Sequence, residues 1–108
     1  MDNRQQQFEF HRANWRFDSP PDEAVITTAS ILEGQPILFV ARDEEDGGWQ
    51  FLDGRDVDIA EAKVVSLMSI VLRDEAILDL TDLPPGWVAE RYTSEAPWRR
   101  GRIEEVEE

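Results

Sequence analysis

Hydrophobic residues change their spacing several times along this chain, and each change marks the edge of an element. Near the start, Phe8 and Phe10, then Trp15 and Phe17, alternate with polar residues. A period of two predicts an extended arm with one sticky face. The arm ends at Pro20 and Pro21, because proline fixes its own φ and restrains its predecessor. Residues 24–32 carry Val25, Ile26, Thr27, Thr28 and Ile31, the β-branched types that suit a pleated surface, and predict a strand. Glu33, Gly34 and Gln35 make a turn. Pro36 then opens a second strand over 37–41, at a position where proline is tolerated. Ile37, Leu38, Phe39 and Val40 are apolar at consecutive positions, which predicts a central strand covered on both faces.

Asp43, Glu44, Glu45 and Asp46 lead into Gly47 and Gly48, a turn of charge and glycine. Trp49 and Phe51 then share one face of a third strand, which closes a β-hairpin. From 63 to 72 two periods compete. Ala60, Val64, Leu67, Met68 and Val71 fit helical spacing, whereas Val64, Val65, Ile70 and Val71 are β-branched. The favoured reading is a short strand over 64–68, then a helix starting between Ser69 and Asp74. Either of these two could cap it with a side-chain oxygen. Ile70, Ile77, Leu78 and Leu80 form its buried stripe. Leu83, Pro84, Pro85 and Gly86 stop it, and Trp87 to Tyr92 forms a last strand. The expected fold is α+β: a four- to five-stranded, mostly antiparallel sheet with one late helix packed on one face. The expected organisation is an arm over 1–21, a single domain over 22–100 and an acidic tail over 101–108.

Composition narrows the chemistry. The chain has 108 residues, enough for one core, and no cysteine, which rules out disulfides and thiolate metal sites. The polar beginning resembles no signal peptide, and the longest apolar stretch, near 64–72, is too short to span a bilayer. The expected location is the cytoplasm. Formal net charge is −13, from 24 acids against 11 bases. Such a surface repels nucleic acid and anionic membrane and suits a basic protein partner.

No catalytic set emerges. His11 is the single histidine and is expected to be exposed near the terminus, so neither a Ser-His-acid triad nor a zinc site can be assembled. A calcium loop begun at Asp43 puts Gly48 correctly at the sixth position, yet puts Gly54 where a bidentate glutamate is required. Glycine-rich phosphate cradles are missing. Arg99, Arg100 and Arg102 abut Glu104 and Glu105, so charge compensation explains them better than phosphate binding. The chain is therefore expected to have no catalytic residue, metal or cofactor.

The most distinctive local feature is acidic. Asp43, Glu44, Glu45, Asp46, Asp53, Asp56, Asp58 and Glu61 are eight acids, against the one base Arg55. If the loops at both ends of the Trp49 strand share a rim, their fields add. The expected partner-binding residues are Glu44, Glu45, Asp46, Trp49, Asp56 and Asp58. Trp49 or Trp87 would anchor the partner where exposed. Two other readings stand beside this one. The first is a regulatory domain that binds a small molecule or cation beside Trp49 or Trp87. The second is a homo-oligomeric accessory protein that packs its arm, from Phe8 to Phe17, on a neighbouring chain.

Several residues also carry a likeness. They are Thr28 and Leu32 before Gly34, Ile37 to Val40, and the acidic turn into Gly48, Trp49, Gln50 and Phe51. Asp74 to Leu78 come next, then Leu83, Pro84, Pro85, Gly86 and Trp87 with Ala89 and Arg91. With these, the stretch 24–91 resembles a family of small bacterial domains long filed as uncharacterised and later grouped with predicted immunity proteins of polymorphic toxin systems. The resemblance implies an α+β domain, no catalytic residues and a toxin protein as partner.

Overall fold

The computed structural model describes residues 3–54 and 59–103. Six strands form one mixed sheet: β1 (Ala24–Thr28), β2 (Phe39–Arg42), β3 (Trp49–Leu52), β4 (Ala62–Ser66), β5 (Trp87–Glu90) and β6 (Arg99–Arg102). Their spatial order is β4-β1-β3-β2-β5-β6. The described residues also form α1 (Asn3–Ala13), α2 (Ala29–Leu32), α3 (Leu67–Arg73) and a 3-10 helix, Glu75–Leu80. The α+β class is as expected, and the hairpin of β2 and β3 pairs as read, with Val40 opposite Phe51. The sheet is wider than expected, and helices precede the late one.

The differences have local causes. Residues 3–13 form a helix, not an extended arm. Gln, Arg, Glu and Ala are good helix formers, and Gln5 donates to Glu9 one turn later at 2.9 Å. The alternation of Phe8 and Phe10 carries no strand, because both rings are exposed on α1. The predicted strand over 24–32 stops at Thr28, whose hydroxyl accepts the Ile31 amide and so starts α2. The competition over 59–72 resolves into β4 and then α3. Ser66, not Ser69, caps α3, accepting the Ser69 amide at 3.1 Å, whereas Asp74 caps the 3-10 helix through the Ala76 amide at 3.0 Å. β6 has the sequence Arg-Arg-Gly-Arg, with no apolar residue to announce it.

Val25, Val40, Trp49, Phe51 and Ala89 project from one face of the sheet into a single core. Ile31 of α2, Leu67, Ile70 and Val71 of α3, and Ile77 and Leu80 of the 3-10 helix complete it. Burying such side chains contributes about 1.5–3 kcal/mol each. Phe17 also enters this core, edge-on to Trp49 at 5.4 Å between ring centroids.

Two arginines close the ends of the β2–β5 pair. At one end, Arg42 is buried with its guanidinium 4.7 Å from the Trp49 ring centroid. It donates to the Gly47 and Leu83 carbonyls and to Asp18, at 3.0, 2.9 and 2.8 Å. At the other end, Arg91 is buried with its guanidinium 4.3 Å from the Trp98 ring centroid. It donates to the Ile37 and Ser94 carbonyls, each at 2.9 Å, and to the Asp74 carboxylate. At the sheet edge, Arg100 of β6 bonds Asp82 at 2.7 Å. That hydrogen bond and the adjacent positive charge hold the Asp82 carboxyl below its ordinary 3.8.

Two measurements check this account. Arg91→Met strips a half-buried carboxylate and two carbonyls of their donors, so it should lower unfolding stability by about 3 kcal/mol. An unchanged urea midpoint would refute the role. Asp82 should titrate below 3.8 by NMR and return towards it in Arg100→Gln. The folded state depresses this group, so its contribution to stability exists above the unfolded pKa and is lost as pH falls through the folded one.

Candidate functional site

Parallel pairing creates the site. β1 and β3 run side by side in the same direction, with Ile26 opposite Gln50. Their N-terminal ends therefore share one edge of the sheet. Glu23, which precedes β1, comes beside Asp43 and Asp46, which precede β3. These three carboxylates, with Ala24, Ile26, Gly48, Trp49 and Gln50, line a groove of about 320 Å3.

The turn that presents Asp43 and Asp46 is rigid for reasons internal to it. Asp43 Oδ1 accepts the amides of Glu45 at 2.7 Å and Asp46 at 3.3 Å, and Asp46 Oδ1 accepts the Gly48 amide at 2.8 Å. Short carboxylates routinely fold the backbone back in this way. Gly47 has φ +70, a left-handed conformation that favours glycine, and it turns its carbonyl onto Arg42. Gly86, with φ +87, leaves room for Glu44, whose Cβ lies 3.4 Å from where a side chain there would begin. The carboxylates thus sit on a scaffold fixed from within the core.

The expected site residues separate. Asp43, Glu44, Glu45 and Asp46 are all exposed on one turn, but only Asp43 and Asp46 border the groove. Trp49 is 1 % exposed, stacks on Phe51 and donates its indole N–H to Ser19 at 3.2 Å. Its ring is thus core, and only the lip of the groove touches it; Trp87 is half-buried against the same core. Asp56 and Asp58 lie outside the described residues. The acids do not share a single rim: Asp53 comes after β3 and accepts from Ser30, at the far end of the strand from Asp46. A four-residue strand puts about 10 Å between those ends.

Glu23 escaped sequence reasoning, because no local pattern announces a parallel neighbour. His11 is a correction. It is 5 % exposed, with Nε2 2.9 Å from Glu75 Oε2, because helical winding of α1 turns it inward. In the segment from Phe8 to Phe17, Phe17 and Trp15 pack on the chain's own core, while Phe8 and Phe10 remain outside.

Three other cavities are larger than the acidic groove. One, of about 510 Å3, includes Gln35, Arg73, Asp74 and Ser94 in its lining. A second, of about 360 Å3, includes Phe39, Asp53, Tyr92 and Arg99. A third, also of about 360 Å3, includes Arg4, Gln7, Ser69 and Leu72. None of the three is bordered by Trp49 or Trp87. Among the described residues no three His, Asp or Glu side chains gather to hold a metal ion, and no helix is long and apolar enough to cross a membrane. No family model, curated protein or solved structure matches the chain.

The turn's internal hydrogen bonds separate a structural from a recognition role for Asp43. Asp43→Asn keeps an acceptor oxygen and should leave the thermal midpoint nearly unchanged. Asp43→Ala removes it and should cost about 1 kcal/mol. Equal midpoints for the two variants would show that the carboxylate does not brace the turn.

Proposed function

We propose that this chain is a non-catalytic protein-binding module that recognises a basic protein. The observation that carries the reading is the convergence of Glu23, Asp43 and Asp46 around one groove on a rigid part of the sheet. Fixed charges on a rigid support lose little entropy on binding and steer a cationic partner into register. The overall charge of −13 adds a long-range field of the same sign. Several of the chain's cations are engaged internally: Arg42 with Asp18, Arg91 with Asp74 and Arg100 with Asp82. In its most specific form the reading makes the chain an immunity protein whose partner is a toxin, as the resemblance of 24–91 implies.

The test is affinity capture at low salt on the wild-type protein and on a Glu23→Lys, Glu44→Lys variant, neither site being a hydrogen-bonding brace of the turn. A basic protein retained by the first column and not by the second is then purified and titrated. Its Kd should rise at least about tenfold between low and physiological ionic strength. Equal capture by both columns, or affinity indifferent to salt, refutes the proposal.

A further inference from the structure

On the second face of the sheet the described residues leave apolar side chains exposed towards the β4 edge. Residues directly opposite each other in neighbouring strands share a face. Register therefore places Val64, Ile26, Gln50, Ala41, Val88 and Gly101 in one row across all six strands. This row points away from the core, to which α2, α3 and the 3-10 helix all contribute on the opposite side. Val64 is 70 % exposed and Ile26 41 %, whereas Val88, towards the β6 edge, is buried. In the adjoining row Leu52 and Phe39 are directly opposed and half-buried. The solvated face of an antiparallel sheet normally reads polar. Here Val64, Ile26, Leu52 and Phe39 put apolar side chains on it, and the described residues leave Val64 and Ile26 exposed.

From this face we infer that the site takes an amphipathic cationic helix of the partner protein, laid across the strands. The inference rests on the reading of the groove as the site of a basic protein. Charge selects the occupant. Glu23, Asp43 and Asp46 border the apolar row through Ile26 and Gln50. A second copy of this chain would bring like-charged rims together at a net charge of −13 each. Geometry favours a helix over a strand. A partner strand adds to a sheet edge, whereas these side chains project from the face. Ala41 and Gly101, both half-buried, are small enough for a helix to approach closely. Six strands span about 24 Å, the length of about 16 helical residues. Tyr92, 77 % exposed with Arg99 over its ring at 5.0 Å, offers an aromatic contact beside the Phe39 end of the face.

The probe is a synthetic amphipathic leucine–lysine peptide of about 16 residues, with a leucine–glutamate peptide of the same pattern as control. Both are titrated into the 15N-labelled full chain. The lysine peptide should shift the amides of Ile26, Ala41, Gln50 and Val64, and the glutamate peptide should shift none. Ile26→Thr with Val64→Thr keeps β-branching and charge while removing apolar surface, and should weaken binding at least fivefold. Shifts confined to residues 43–48, with no effect of the threonine pair, would overturn the inference and leave the reading of a basic partner standing. No binding of the lysine peptide would overturn it as well. So would concentration-dependent dimerisation through the same amides, which assigns the face to a second copy. Failure of the salt-sensitive capture would instead remove the underlying reading.

Discussion

Two guanidinium groups held out of water set the terms for the rest of this molecule. Arg42 and Arg91 stand at opposite ends of the β2–β5 pair, and each is almost inaccessible to solvent. A buried cation is costly unless its donors are used and its charge is matched. Each arginine meets both conditions in the same way: one carboxylate, two main-chain carbonyls and one tryptophan face. The carbonyls belong to the hairpin turn, to the segment just before β2 and to irregular segments on either side of β5. The planar fork of arginine reaches such separate acceptors at once, which a lysine ammonium does not do. The two arginines therefore add to whatever internal order these loops have, tying them to the ends of the sheet.

This explains which parts of the fold were legible in the sequence. β3 was legible because Trp49 and Phe51 alternate with polar residues and both face the core. The hairpin was legible because Gly47 and Gly48 sit between two apolar runs. Elements whose reasons are tertiary stayed hidden. α1 places aromatic residues at Phe8 and Phe10, mimicking a strand, while only His11 among its described side chains is buried. α2 begins inside a β-branched run because Thr28 both ends β1 and caps the new helix. β6 has no hydrophobic pattern, being an edge strand whose Arg100 is tied to Asp82 and to the Asp79 carbonyl. Charged residues on an edge also discourage pairing with another sheet.

The candidate site divides in the same way. The acidic turn was visible as a run of four carboxylates, and its neighbour Glu23 was not, because parallel pairing joins residues far apart in sequence. Trp49 was visible as an aromatic beside the turn, but its sequence position does not reveal which face of the strand meets the core. Neither buried arginine was separable from surface arginines by type or spacing. Arg91 has Glu95 four residues on, yet its partner is Asp74, 17 residues away, which no local spacing announces.

In the apolar run from Ile37 to Val40, Ile37 and Val40 are buried and Leu38 and Phe39 half-buried, whereas Ile26 and Val64 on the outer face of the sheet stay exposed. Such a mismatch has a physical meaning. Apolar surface left in water adds nothing to the stability of the isolated fold and favours aggregation, which the high negative charge opposes by repulsion. The two features therefore act together: the charge keeps molecules of this chain apart although Ile26 and Val64 are exposed. A surface optimised for solubility alone would place polar residues at Ile26 and Val64, where β-branched threonine would serve the strand equally well.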